Sequence, residues 1–434
     1  MHVVVLGGGS TGEHFAGALR RLDGDVQISV VERRLFGGEC SYWACMPTKT
    51  ALRAPEVAAA AGRTNGAVTG ATLDAQAALR WRDTVAERDD ASQVEWLRGR
   101  RAEAVRGTAR VVEPGLLDVD GRRIGYDRLV IATGSSPRIP PIAGLAEAPY
   151  WTNVEATETT EVPERLAVLG GGPVGCELAQ LFARLGSQVA LVESGERLLP
   201  RIDPDAAELI VGALREDGVD VRLGSTAERV EPDRLRLTDR DAIRFDRLLV
   251  ATGRTPNVDG LEPLGLTISE RGIEVDERMR AAENVWAIGD VTGIALFTHV
   301  GKYHGRVAAY DIAGRPARAD HRAIPATVFT DPQVATVGRL DGGVTSRWEL
   351  TSVPRLSTYE RPKRTGFVKV VADPERRVLT GAVAVGPEAG EWLQPLTLAI
   401  RAETPIDVLL DVIPPYPSFG EGVFLALREL NLDL

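Results

Sequence analysis

Apolar and polar positions along the 434-residue chain repeat one plan: a short apolar run, a glycine turn, a helical stretch, and a second apolar run closed by an acid. Val3 to Leu6 is a strand-length run that leads into Gly7-Gly8-Gly9-Ser10-Thr11-Gly12. Glu13 to Arg21 has helical spacing, and Val26 to Val31 is the next apolar run, ending at Glu32. Strand, turn, helix and strand in that order predict a βαβ unit. Asp74 to Arg98 has helical spacing with many charges and predicts a surface helix. Strand-like runs follow at Ala104 to Val112 and at Arg128 to Ile131, the latter closing on Thr133-Gly134-Ser135.

The plan then recurs. Leu166 to Leu169 predicts a strand, Gly170-Gly171-Gly172-Pro173-Val174-Gly175 a turn, Cys176 to Leu185 a helix, and Gln188 to Val192 a strand ending at Glu193. Leu248 to Gly253 echoes the run that ends at Gly134, so the two units read as a duplication. Pro137, Pro140, Pro141 and Pro149 mark a hinge between the copies. Val285 to Asp290 is a further strand ending in an acid. Past Asp320 the pattern changes. Val328 to Gly338, Gly366 to Val371 and Val378 to Val385 predict sheet, Glu388 to Ala402 predicts helix, and no nucleotide signature occurs there. A chain of this length and pattern is expected to form several α/β domains with a final α+β domain.

The formal net charge of −10 argues against nucleic acid or an anionic membrane surface as the main partner. Three cysteines exclude a disulfide-stapled secreted scaffold and fit a reducing compartment. The first apolar run meets glycine too soon for a signal peptide, and no run is long enough to cross a bilayer, so a cytoplasmic location is expected. No metal site is expected.

Glycines at a strand-to-helix turn let backbone N–H groups approach a pyrophosphate, and an acid one βαβ unit later bonds ribose hydroxyls. Gly7, Gly9 and Gly12 with Glu32 form the first such set, and Gly170, Gly172 and Gly175 with Glu193 the second. A carboxylate at Glu193 accepts from a ribose 2′-OH and repels a 2′-phosphate, which favours NAD(H) over NADP(H). Arg197 is either a second-site phosphate ligand or a solvated arginine.

Between the first acid and the next helix lies Gly38-Glu39-Cys40-Ser41-Tyr42-Trp43-Ala44-Cys45-Met46-Pro47-Thr48-Lys49. An i,i+5 pair lies about 7.5 Å apart along a regular helix, whereas a disulfide needs Cα atoms within about 7 Å. If the two thiols act together, Cys40 must lie in a distorted turn that leads into the helix holding Cys45. A helix start also favours a thiolate. The alternative is two unrelated buried cysteines. Cys176 is expected to pack against its sheet, and Lys49 with Glu177 is either an ion pair beside a cofactor or two surface charges.

With both glycine turns, both closing strands, Asp290 and the Cys40/Cys45 pair in order, the chain resembles the pyridine nucleotide-disulfide oxidoreductases, the family of dihydrolipoamide dehydrogenase, glutathione reductase and mercuric reductase. The resemblance implies an FAD domain over 1–150, an NAD(P) domain over 151–270, a return to the FAD domain over 271–320, and an interface domain over 321–434 in a homodimer. It implies Cys45 as the thiol facing the flavin and Cys40 as the interchange thiol. It implies Lys49 and Glu177 near the isoalloxazine, and Thr133, Gly134 and Ser135 in a flavin-contacting turn. Gly253 closes the second nucleotide unit, Asp290 reaches toward the ribityl-phosphate region, and Leu296, Phe297, Thr298 and His299 run along the pyrimidine edge. A helix starting there would set its positive end near the flavin C2=O.

The chain departs from the family at its final motif. Where a His-Pro pair is usual, it has Tyr416-Pro417-Ser418-Phe419-Gly420-Glu421, so the acid is kept and the histidine is not. A tyrosine, with a pKa of about 10, is a poor base at neutral pH. Ordinary lipoamide or glutathione turnover is therefore not expected. Mercuric reductases also resemble the chain at this tyrosine, but Glu429 to Leu434 carries no cysteine pair and no metal-binding domain precedes residue 1, so mercury is not the expected substrate. Tyr42 and Trp43, bulky for this motif, either shape a substrate pocket or pack.

The leading expectation is an FAD enzyme that moves electrons between NAD(P)H and a small-molecule or disulfide acceptor through Cys40 and Cys45. The alternatives are a quinone or dye reductase, or a flavin-dependent biosynthetic dehydrogenase, in which the cysteines do not turn over. A non-catalytic flavin-containing binding protein is the alternative of another class.

Overall fold

A computed structural model describes residues 1–239, 241–359 and 366–430. The last four residues of the cysteine-free carboxyl terminus lie outside the described residues. The chain divides into two compact units, one of residues 1–47, 83–138 and 253–320, the other of 48–82, 139–252 and 321–434.

The first unit is built on a six-stranded sheet in the order Arg280–Ala282, Val285–Ala287, Arg128–Ile131, His2–Leu6, Gln27–Glu32, Ala102–Arg106. All neighbours are parallel except the first pair, which is antiparallel. Strand His2–Leu6 pairs with Gln27–Glu32 on one side and Arg128–Ile131 on the other. Its carboxyl end is therefore a point where strand order reverses, the place where open α/β sheets bind ligands. Val3, Val4, Val5, Val30, Leu129, Val130 and Ile131 are fully buried, as continuous apolar runs in a doubly covered parallel sheet should be. Helix Ser10–Leu22 packs Phe15, Ala16 and Leu19 into the same core as Val307, Ala308 and Ala309 of helix Thr298–Ile312.

The second unit repeats this arrangement. Its four-stranded parallel sheet runs Asp220–Arg222, Gln188–Val192, Arg165–Leu169, Arg247–Val250, and again the strand before the glycine turn lies between the one after it and the closing strand. A five-stranded antiparallel sheet, Pro325–Val328, Gln333–Gly338, Val378–Gly386, Phe367–Asp373 and Val344–Glu349, forms the carboxyl-terminal part.

Several sequence expectations change. Asp74 to Arg98 is not one surface helix but two, Ala75–Ala86 and Ala91–Gly99, broken where Glu87 takes a positive φ of 30°. The first of these buries Ala78, Leu79 and the whole of Arg82, whose guanidinium donates to the Thr159 carbonyl, so the density of charge misread the face. Val328 to Gly338 is two strands joined through Phe329–Pro332, and Ala104 to Val112 falls across strands Ala102–Arg106 and Ala109–Glu113. Glu388 to Ala402 is likewise two helices, Ala389–Trp392 and Gln394–Ala402. Among the described residues no helix is long and apolar enough to cross a membrane.

Candidate active site

The glycine turns owe their shape to close backbone approach. Gly7 has φ 107° and Gly170 φ 110°, a region costly for any side chain. A Cβ on Gly12 would sit 2.0 Å from the Gly7 carbonyl oxygen, and one on Gly175 would sit 1.9 Å from that of Gly170. Helices Ser10–Leu22 and Pro173–Arg184 start after Gly9 and Gly172, and no side chain caps either. Their first N–H groups are left for an anion. A Cβ on Gly172 would meet nothing within 4 Å, so the approach to that turn is open.

Each acid is held in the same way. Glu32 accepts from the Gly8 N–H at 2.9 Å and the Arg34 N–H at 2.7 Å. Glu193 accepts from the Gly171 and Gly195 N–H groups, both at 2.7 Å. These bonds fix each carboxylate at its strand end, with lone pairs remaining for ribose hydroxyls. Each set thus fits the adenosine diphosphate part of a dinucleotide. Arg197 donates to the Pro200 carbonyl at 2.7 Å.

Cys40 occupies a short helix of its own, Gly38–Tyr42, rather than an irregular turn, and Cys45 is the first residue of helix Cys45–Gly62. The break at Trp43 and Ala44 separates the two helices and brings Cys40 Sγ to 2.7 Å from Cys45 Sγ. Cys40 is the donor in that contact. This bond and burial push the Cys40 thiol far up, against the opposing pull of Thr298 and Lys302. Cys45 Sγ is also 3.4 Å from Thr298 Oγ1, the first residue of helix Thr298–Ile312. Phe297 precedes that helix and stacks on His299 with centroids 5.2 Å apart, while Leu296 is partly exposed.

Tyr42 and Trp43 are both buried. The Tyr42 hydroxyl donates to the Phe36 carbonyl at 2.8 Å, and the Arg34 guanidinium lies 3.9 Å from the Trp43 ring centroid. They pack the loop between the cysteines. Cys176 is fully buried, and burial pushes its thiol up. It is inert packing.

The turn Thr133-Gly134-Ser135 is held by Asn257, which the sequence reading did not single out. Thr133 Oγ1 donates to the Asn257 carbonyl at 2.6 Å, and Asn257 Nδ2 donates to the Thr133 carbonyl at 2.9 Å. Ser135 Oγ donates to Asp290 Oδ2 at 2.8 Å and accepts from Arg254 Nε at 2.7 Å. Arg254 also forks onto the Glu39 carboxylate, so the residue before Cys40 is tied to the turn that holds Asp290. Burial raises Asp290 above the usual carboxylate range, opposed by the Ser135 hydroxyl and by Arg254. Arg254 and Asn257 directly follow Gly253, so extending that motif by four residues would have found both. Gly253 itself has φ 119° and would clash with Arg138 if given a Cβ.

In the second unit, Lys49 Nζ lies 2.7 Å from Glu177 Oε2. Glu177 is 4% exposed and also accepts from the Phe329 N–H at 2.9 Å, while Lys49 sits 4.7 Å from the Phe329 ring centroid. The two are therefore a real pair, not separate surface charges. Glu421 lies in the first turn of helix Gly420–Arg428 and accepts from the Ser418 N–H at 3.5 Å. The Tyr416 side chain is 74% exposed.

The pyridine nucleotide-disulphide oxidoreductase model matches residues 1–316, and the dimerisation domain of the same family matches residues 324–426. The chain belongs to this family. A mercuric reductase of Shigella flexneri is 36% identical over 465 residues, covering 100% of this chain and 81% of the relative. A dihydrolipoyl dehydrogenase of Haloferax volcanii is 31% identical, covering 98% of this chain and 95% of the relative. Among solved structures, LpdA of Mycobacterium tuberculosis matches with a TM-score of 0.89 at 26% identity over 99% of both chains. RclA of Escherichia coli, an HOCl-induced flavoprotein disulfide reductase, matches with a TM-score of 0.87 at 25% identity, covering 99% of this chain and 100% of its own. As a family member the chain is an FAD-dependent oxidoreductase that works with a pyridine nucleotide.

Proposed function

We propose that this family member carries electrons from NADH to an acceptor through a redox-active Cys40–Cys45 disulfide. The observation that carries the reading is the 2.7 Å approach of the two sulfurs at the start of helix Cys45–Gly62. Bound FAD would supply two-electron transfer between the nicotinamide and the disulfide. Two electrons and one proton convert the Cys40–Cys45 disulfide into the Cys40 thiol and the Cys45 thiolate. The hydrogen bond from Cys40 and the positive end of helix Cys45–Gly62 keep the negative charge on Cys45. Cys40 is then the thiol that meets the acceptor. Gly7, Gly9, Gly12, Glu32, Asp290 and the turn Thr133–Ser135 would hold FAD, with the Thr298–Ile312 helix start at its pyrimidine edge.

The division into 1–150, 151–270, 271–320 and 321–434 belongs to this reading, as does a homodimer. Ile413 at 91% exposed, Tyr416 and Leu398 are apolar or aromatic groups that a second copy would cover. Trapping with an alkylating reagent after anaerobic NADH tests the core of the proposal. Two new modified thiols, at Cys40 and Cys45 and not at Cys176, are expected; no new thiol rejects it.

Preference for NADH is supported by Glu193, and by the commitment of Arg197 to Pro200. Glu193→Ser, which removes the charge that repels a 2′-phosphate, is expected to narrow the ratio of kcat/KM for NADH over NADPH by about tenfold, the value of a change of about 1.4 kcal/mol. An unchanged ratio would assign the preference to other residues.

A further inference from the structure

Cys40 stands on a helix too short to hold itself. Gly38–Tyr42 has five residues, buries Tyr42 alone of them, and joins helix Cys45–Gly62 through Trp43 and Ala44. A lone helical turn is unstable, because fixing its backbone costs more than its few hydrogen bonds return. The approach of Cys40 Sγ to Cys45 Sγ therefore depends on what pins the turn from outside. Its entry is pinned by backbone. The Gly37 N–H donates to the Gly8 carbonyl at 2.8 Å, and a Cβ on Gly38, at φ 66°, would lie 2.7 Å from Gly9 Cα. Its exit is pinned by the Tyr42 hydroxyl on the Phe36 carbonyl at 2.8 Å.

Glu39 adds a side-chain anchor of another kind. Its two carboxylate oxygens accept from Nη1 and Nη2 of Arg254, the former at 3.1 Å. Arg254 is itself fixed, with Nε donating to Ser135 Oγ and Nη2 to the Ser135 carbonyl, both at 2.7 Å. Strand Arg254–Pro256 pairs antiparallel with Ser135–Pro137, which sets the guanidinium beside that turn. Ser135 Oγ carries the connection on to Asp290 at 2.8 Å. Arg254 is thus a cation shared by two acids: it lowers the Asp290 carboxyl while Glu39 raises it.

We propose that Glu39, gripped by Arg254, seats the Cys40 helix and thereby sets how readily Cys40 and Cys45 close into a disulfide. Both are positioning residues, and the proposal rests on the reading of Cys40 and Cys45 as the redox pair. Two thiols held in one geometry have a high effective concentration toward each other, which falls as either gains freedom. A guanidinium fork on a carboxylate suits the task because it fixes direction as well as distance. The Glu39 and Arg254 side chains are 29% and 20% exposed, so water screens the pair only in part. The seat of Cys40 and the grip on Asp290 share one guanidinium.

The test equilibrates flavin-loaded protein anaerobically with glutathione buffers, then reads the pair by acid quench, alkylation and mass spectrometry. In that exchange the protein dithiol and one glutathione disulfide give the protein disulfide and two glutathione thiols. Glu39→Gln is expected to lower the constant for disulfide formation about tenfold, the effect of losing one charge-assisted hydrogen bond. That raises the potential of the pair by about 30 mV. Arg254→Gln is expected to act in the same direction, and the double variant to fall short of the product of the single effects. Should Arg254→Gln fail to hold flavin, Glu39→Gln and the following control decide. Arg280→Gln breaks a comparable fork onto Asp311, at 2.6 and 2.9 Å, and is expected to leave the constant unchanged. An unchanged or raised constant in Glu39→Gln, an equal fall in Arg280→Gln, or fully multiplying effects in the double variant overturns the proposal. Failure of NADH to generate thiols at Cys40 and Cys45 would instead strike the redox reading. The glutathione equilibrium needs no nucleotide, so the two failures are distinct.

Discussion

Cys45→Ser protein is expected to keep its flavin and to be bleached by NADH, yet to lose acceptor turnover by on the order of a thousandfold. Removing one member of a pair that acts as a unit leaves only the contribution of binding and of other groups. Serine cannot form the S–S link, so electrons that reach the flavin have no covalent exit to Cys40. The substitution is small at a partly exposed helix start, so the fold should persist. Stopped-flow reduction and steady-state turnover together read the two halves separately. Unchanged turnover would make the cysteines structural and leave a direct flavin-to-acceptor reductase, such as a quinone reductase. Absence of bleaching in the parent protein would leave only a non-catalytic flavoprotein.

The second large effect separates the two nucleotide units. In Gly12→Ala the new Cβ meets the Gly7 carbonyl oxygen at 2.0 Å, and in Gly175→Ala it meets that of Gly170 at 1.9 Å. Backbone cannot yield as a flexible side chain does. Overpacking costs about 1–3 kcal/mol, so each turn should bind its dinucleotide roughly tenfold to a hundredfold more weakly. Gly12→Ala should release FAD, read as free-flavin fluorescence after dilution. Gly175→Ala should retain FAD and raise KM for NADH. Loss of flavin in Gly175→Ala and not in Gly12→Ala would reverse the assignment of the two sites.

Much of this was legible because local pattern and global fold agree at the parallel sheets. Val3 to Leu6 and Leu166 to Leu169 are apolar runs buried on both faces, and of the glycines after them Gly7 and Gly170 have positive φ while Gly12 and Gly175 lie against backbone. The paired cysteines were legible as a motif, and the helical rise ruled out one regular helix through both. What the rise did not reveal was that Cys40 has a helix of its own, because a five-residue helix carries no periodicity. The helix at Ala75–Ala86 was misjudged because Arg82, a charge by composition, is buried and bonded to a distant carbonyl. Arg254 and Glu39 stayed hidden for a similar reason. Their partners lie 215 positions apart in sequence, and nothing local marks either.

The central claim is that a thiolate at Cys45 lies against the flavin once the disulfide is reduced. Anaerobic titration of the purified protein with NADH tests it most directly. The account predicts a long-wavelength charge-transfer band that is complete at two electrons and absent from Cys45→Ser protein. Full bleaching of the flavin with no such band at any stage would contradict it.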